Sequence, residues 1–522
     1  MMMIAMDSES LARITFGLYL AIIGLVCIYG LHRYHLVHLY HKYRSNVPKL
    51  TACFRELPKV TIQLPMFNEA AVARRVIDST CAVDYPKDRL QIQVLDDSTD
   101  ETVDVVREAV EYWRSRGYDI EQLHRDNRTG YKAGALAEGL KVATGEFVLI
   151  FDADFVPTPD ILRETIHYFV DPRVGMVQAR WEHLNRNQSL LTRGEAILLD
   201  GHFLLEHGAR NRSGRFMGFN GTAGLWRRSC IDDAGGWQHD TLTEDLDLSY
   251  RAQMKGWRFL FLPDLTSPGE LPPDMEAFKQ QQHRWAKGGA QTCRKLLPTL
   301  LRAKLPWRIK LEGFFHLTNC MIYVLVLILT LLLFPVVHMK VNAFDGASWW
   351  QKYAFDASIL LLATFSGSTF YATSQRILLR SWADSLKYLP FLMILGVGIC
   401  LNNARAVLEG FFGKPGEFVR TQKFGTMTGS VEWKRKIAEQ RNKQKGRIRW
   451  QPFAELGVGL YLMVCLILSL QDYRVTIGTP FLALFMVGYL YVPLMTWFGH
   501  RLGRVDATGQ EAELAVDTVR VD

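Results

Sequence analysis

"YKAGALAEGLKVATGEFVLIFDAD", Tyr131 to Asp154, decides the fold. It opens with a helical pattern and ends in the uncharged run "FVLIF", which stops abruptly at Asp152, Ala153 and Asp154. The same alternation precedes it: "KVTIQLP" then "AAVARRVIDSTC", and "LQIQVLDDS" then "ETVDVVREAVEYW". Short apolar runs alternating with helices from about Pro58 to Leu300 predict an α/β fold, a mostly parallel sheet flanked by helices on both faces. In such sheets ligands bind beyond the carboxyl ends of the strands. The residues that follow each strand therefore carry the functional reading.

Two carboxylate pairs stand there: Asp96 and Asp97 after "QIQVL", and Asp152 and Asp154 after "FVLIF". Ser98 with Glu101, and Thr241 with Glu244, have the spacing of capping boxes, which predicts a helix start after each. The D-x-D pair presents hard oxygen ligands suited to Mg²⁺ or Mn²⁺, ions that often take only one or two carboxylates and complete their shell with substrate phosphates. In "TLTEDLDLSYRAQ", Asp245 falls in the first helical turn, where it can serve as a general base. "FNGTAGLWRR" supplies small residues, Gly221 and Thr222 among them, that let backbone approach a substrate. Lys132 opens a helix and can meet a diphosphate as a point charge. In "KQQQHRWAKGG", Gln281, Arg284 and Trp285 share one helical face. Arg284 offers a planar fork to phosphate and Trp285 a broad surface to a sugar ring. Each feature also has a purely structural reading: a cap, a solvated turn, a tight loop, or a helix lying on a membrane surface.

At 522 residues the chain exceeds one ordinary core. Uncharged runs predict a membrane part. Ile14 to Leu31 is followed by His32, Arg33, Lys42, Arg44 and Lys49 with no small-residue cleavage site, the pattern of an uncleaved anchor whose basic flank lies in the cytoplasm. Further spans are expected at Gly313–Val337, Ala357–Thr373, Leu456–Leu470 and Pro480–Trp497. Tyr388–Leu401 is too short for an ordinary crossing and reads as interfacial or re-entrant, giving five spans, with six as the alternative. The expected organisation is an anchor over 1–50, a cytoplasmic domain over 51–305, transmembrane helices over 306–500 interrupted by a cytoplasmic loop near 415–450, and a tail over 501–522. The formal charge of +8 fits loops beside anionic membrane lipids, with no nucleic-acid partner. Eight scattered cysteines without a C-x-x-C pair fit a reducing compartment.

Taken together, "LPMFNE", "DDS", "KAGAL", "FDADF", "FNGTAG", "TED" and "QQHRW" resemble the membrane-embedded, inverting family 2 glycosyltransferases of GT-A fold. "QLPMFNE", "LDDSTD", "NRTGYKAGAL", "FNGTAGLWRR" and "QQHRW" are similar to the cellulose-synthase-like glucomannan 4-β-mannosyltransferases and xyloglucan-backbone glucan synthases. The resemblance covers about residues 58 to 300 and continues more weakly beyond. It implies that Asp96 and Asp97, with Lys132 and Arg284, bind the donor, a nucleotide sugar such as GDP-mannose or UDP-glucose. Asp152 and Asp154 would hold the metal, and Asp245 would be the base. Gln281, Trp285, Gly221, Thr222 and Glu244 would receive the acceptor, a growing polysaccharide or a lipid. "EFVRTQKFG" resembles the gating loop of cellulose synthases, with Phe418, Thr421 and Lys423 matching and Arg420 departing from the pattern. The implied activity is polymerisation of a β-linked hexan with translocation, in a bacterial inner or Golgi-like membrane. The alternatives are single transfer to a lipid, or a non-catalytic scaffold or transporter.

Overall fold

The computed structural model describes residues 8–343, 348, 358–379, 383–413, 425, 450–471 and 479–518. Its sheet has seven strands: β1 (Val60–Met66), β2 (Leu90–Asp96), β3 (Asp119–His124), β4 (Phe147–Ile150), β5 (Val174–His183), β6 (Gly224–Arg227) and β7 (Arg258–Gly269). They lie in the order β3-β2-β1-β4-β6-β5-β7, and only β6 runs antiparallel to its neighbours. Met66 pairs with Asp96 and Gln63 with Ile150, so the chain leaves β1, β2 and β4 along one edge. Because β6 is reversed, the "FNGTA" stretch leading into it reaches that same edge.

Every residue of β1, β2 and β4 is buried, as parallel strands covered on both faces require. Their polar members pair within the sheet: Thr61 Oγ1 donates to Gln91 Oε1 (2.8 Å) and Gln63 Nε2 to Gln93 Oε1 (3.0 Å). Helix α1 (Ser8–Tyr43) precedes the sheet; α2 (Ala70–Cys81), α3 (Thr102–Arg114), α4 (Tyr131–Val142), α5 (Ile161–Ile166) and α6 (Leu190–Asp200) connect its strands. Apolar residues of α2, α3 and α5 close one core against the sheet, while those of α4 and α6 contribute to a second centred on Trp226. A π-helical turn, Gly201–His207, leads from α6 into α7 (Gly208–Arg212), and α8 (Arg228–Asp233), α9 (Glu244–Met254) and α10 (Met275–Arg302) follow.

Neither expected capping box forms. Ser98 is buried and its hydroxyl accepts from the Asn68 amide (2.9 Å), while Asp100 Oδ1 accepts from Thr102 N at the start of α3. At α9 the N-cap is Thr243, whose hydroxyl pairs with that of Thr292 on α10 (2.9 Å). At Ser98 a tertiary contact claims the hydroxyl that local spacing assigned to the helix end, whereas Thr241, expected to pair with Glu244, lies two residues before the N-cap of α9 and is buried.

The C-terminal part comprises α11 (Trp307–Thr318), α12 (Met321–Ala343), α13 (Ser366–Leu379), α14 (Ala383–Gly398), α15 (Cys400–Phe412), α16 (Gln451–Gln471) and α17 (Thr479–Thr518). Among the described residues, three helices are long and apolar enough to cross a membrane: Arg13–Tyr43, Gln451–Leu470 and Thr479–Phe498. The count reaches five if each of two bent pairs is one span, α11 with α12 (57°) and α14 with α15 (44°). The expected span Ala357–Thr373 is not among them. Its described part runs through a π-helical turn, Leu360–Phe365, into α13, and just beyond it Gln375 Nε2 donates to Asp200 of α6 (2.8 Å).

Candidate active site

The edge where β1, β2 and β4 end opens into a cleft with about 1190 Å³ of non-protein space, open solvent included. The loops after β1, β2 and β4, the start of α4, the approach to β6, the ends of β5 and β7, and helices α9 and α10 line it. Asp97, Lys132, Asp152, Asp154, Gly221, Glu244, Asp245, Gln281, Arg284 and Trp285 are brought together there. Asp96 and Thr222 are not in the lining. Asp96 is fully buried and accepts from Ser98 N (2.9 Å) and Gln122 Nε2 (2.8 Å). Thr222 is equally buried, its hydroxyl accepting from Asp152 N (2.9 Å), so it fixes the D-x-D turn from behind. Phe418, Thr421 and Lys423 lie outside the described residues. From the same stretch Gly425 is described, close against the carbonyl of Ala71 at the start of α2.

Lys132 joins the two sides of the cleft. Its Nζ donates to Asp152 Oδ1 and to the Gly221 carbonyl (2.8 Å). Burial disfavours its charge, yet Asp152, Glu244 and Asp245 hold its pKa above the usual lysine value. Gly221 needs its lack of a side chain: at φ +81° a Cβ would be strained, and it would stand 3.1 Å from Asp245 Oδ2. The loop thus passes directly against the carboxylate.

Asp245 is pushed up to about 7, first by burial and then by the adjacent Glu244, with Lys132 opposing. Glu244 is raised as well, again chiefly by burial. The two titrate as a linked pair. Arg284 is lowered by burial, against the pull of Asp152, Glu244, Asp154 and Asp245. A carboxyl with a pKa near neutrality beside a partly buried arginine and lysine is the environment of a general base close to an anion site.

The helix carrying Arg284 comes close because Gly288 allows it. A Cβ there would stand 2.6 Å from Thr243 Cγ2, so α10 packs tightly on the turn that presents Glu244 and Asp245.

Several lining residues were not singled out from the sequence. Behind the lining Arg125 grips Asp97 through two nitrogens (2.7 and 2.5 Å), and in the lining the Arg128 guanidinium stands 3.4 Å from the centroid of the Phe67 ring. Trp181, Glu182 and His183 arrive at the end of β5, and Glu270 just after β7. "VQARWEH" carried the same signal as "VLIFDAD", an apolar strand ending in polar and aromatic residues.

Among the described residues, eight lining side chains are carboxylates and three are lysine or arginine. An anionic ligand entering this cleft needs added positive charge. Asp152 and Asp154 suit a divalent ion, and no group of three potential ligands occurs among the described residues. That donor set fits an ion completed by the ligand's own phosphates and water.

Residues 58–288 match a family model described as Glycosyltransferase like family 2. The chain is 39% identical over 387 residues, 71% of its length and 68% of the relative's, to glucomannan 4-beta-mannosyltransferase 2 of Arabidopsis thaliana. It is 35% identical over 472 residues, 87% of its length and 83% of the relative's, to the probable glucomannan 4-beta-mannosyltransferase 9 of Oryza sativa subsp. japonica. Among solved structures it resembles the mannosyltransferase PcManGT from Pyrobaculum calidifontis, determined with GDP-Man and Mn²⁺. The TM-score is 0.51 at 22% identity, covering 77% of this chain and 99% of that one, a likeness of fold.

Proposed function

The chain belongs to glycosyltransferase family 2, as a nucleotide-sugar-dependent hexosyltransferase of the β-mannan or glucomannan synthase type, and from that premise we propose that it extends a β-1,4-linked mannan from GDP-mannose. The mannosyltransferases among its relatives favour GDP-mannose over UDP-glucose. The observation that carries the mechanism is the raised carboxyl of Asp245 beside Lys132 and Arg284.

In this reading the acceptor hydroxyl, a weak nucleophile, gives its proton to Asp245 as it attacks the anomeric carbon. Lys132 and Arg284 face the charge that grows on the leaving diphosphate. Asp152 and Asp154 would hold Mg²⁺ or Mn²⁺, which would supply the positive charge an acid-rich cleft lacks. One displacement at an α-linked donor leaves a β-linked sugar. Asp97, set by Arg125, faces the nucleoside, with Asp96 fixed behind it; Trp285, Gln281 and Glu244 hold the acceptor end, and Gly221 leaves room for it. The apolar helices retain the enzyme in a membrane as a multi-pass protein with the cleft on the cytoplasmic side. Phe418, Thr421 and Lys423 belong to a gating segment.

Membranes containing the protein, given labelled GDP-mannose or UDP-glucose with Mn²⁺, test the reading. Incorporation from GDP-mannose, abolished by a chelator and restored by Mn²⁺, is expected. Incorporation from UDP-glucose alone would overturn the donor assignment.

A further inference from the structure

Helix α10 has a second polar face. Lys279, His283 and Lys287 follow at i, i+4 and i+8, a row along the helix separate from that of Gln281, Arg284 and Trp285. Each meets a carboxylate of the C-terminal helices. Lys279 Nζ lies 2.7 Å from Glu455 of α16, while His283 Nε2 and Lys287 Nζ lie 3.4 and 3.5 Å from Glu409 of α15. The Lys279 pair is the most enclosed, its side chains 5% and 0% exposed. Further hydrogen bonds close it into a node. Gln451 Nε2 donates to Glu455 Oε1 (3.1 Å) and to Asn402 Oδ1 (2.7 Å), and Asn402 Nδ2 donates to the Lys279 carbonyl (3.0 Å). Three helices, α10, α15 and α16, thus meet at one buried polar point.

A buried ion pair is a poor way to gain stability, since desolvation cancels most of the attraction and apolar residues of similar volume often do as well or better. An ionisable residue in a helix apolar enough to cross a membrane is an expensive placement that marks function. Directional hydrogen bonds supply a fixed register that apolar packing does not. Here the register fixed is that of α10, whose cleft face begins at Gln281, only two residues after Lys279.

We propose that Lys279 and Glu455 are positioning residues: they set α10 against the apolar helices so that Gln281 and Trp285 retain the end of the growing chain between successive transfers. The proposal rests on the polymerase reading above. Neither side chain lines the cleft, so neither takes part in the transfer itself.

The test uses the full-length protein in membranes with GDP-mannose and Mn²⁺. It reads product length, acceptor KM and kcat with a short β-1,4-linked manno-oligosaccharide, and thermal stability. Lys279→Met and Glu455→Met together restore an uncharged, packed node, Glu455→Asp keeps the charge but shortens its reach, and Lys279→Arg conserves the pair. The double Met variant and Glu455→Asp are expected to melt near the wild type yet make shorter chains, with acceptor KM raised roughly tenfold and kcat at saturating acceptor little changed. Lys279→Arg is expected to keep the wild-type length. Wild-type product length and acceptor KM in whichever of the first two variants accumulates would overturn the proposal. A wild-type protein that makes no polymer at all would instead overturn the polymerase reading, so the two failures are separable.

Discussion

The proposed mechanism concentrates the chemistry in Asp245, a carboxyl whose ionisation is held near neutrality by burial and by Glu244. As the base it must be ionised, so kcat/KM is expected to rise with pH through about 7, and Glu244→Gln, by removing a neighbour that raises it, to move that limb to lower pH. A rate–pH profile of both proteins checks this. Asp245→Asn is expected to cost at least about 100-fold in transfer. The same substitution has the opposite effect on stability. A carboxyl raised in the folded state favours folding while protonated, so its contribution is greatest below the exposed-carboxylate value and declines as pH rises toward about 7. Thermal melting at pH 8 is therefore expected to show Asp245→Asn above the wild type.

At the scale of elements, the site depends on how closely helices and loops approach. Arg125→Met would leave Asp97 buried without its cation, a loss of about 3 kcal/mol in the catalytic domain, measurable by denaturant unfolding of detergent-solubilised protein. Gly288→Val would push α10 away from Thr243, and an activity loss with the donor still bound is expected, read by comparing transfer with donor affinity. How much of this was legible in the sequence follows the same division. Strands ending in aspartates and a helix carrying Gln281, Arg284 and Trp285 could be read because their signals are local and periodic. The capping of α3 and α9 could not, because Asn68 claims the Ser98 hydroxyl from a distant segment and α9 starts from Thr243, paired with Thr292, rather than from Thr241. The lining contributed by β5 and β7 escaped as well. Reversed β6, inserted between β4 and β5, brings their ends to the edge, and that order is a property of the sheet rather than of any one segment. Asp96 and Thr222, expected as contacts, lie fully buried behind the cleft's lining, a placement that burial decides and spacing does not.

At the scale of the whole molecule, a catalytic sheet and a set of apolar helices meet along α10. Among the described residues three helices are long and apolar enough to cross a membrane, with up to five spans if each bent pair counts as one, and α13, which packs on α6, takes in the end of the expected Ala357–Thr373 span. Extraction that requires detergent and resists alkaline carbonate is expected for a protein so anchored. One measurement tests the central claim most directly: the product made by purified, detergent-solubilised protein from labelled GDP-mannose and Mn²⁺, sized by gel filtration before and after digestion with an endo-β-1,4-mannanase. A high-molecular-weight product that the mannanase degrades, and that Asp245→Asn fails to make, is predicted. A product that stays small, partitions into organic solvent and resists the mannanase would contradict it.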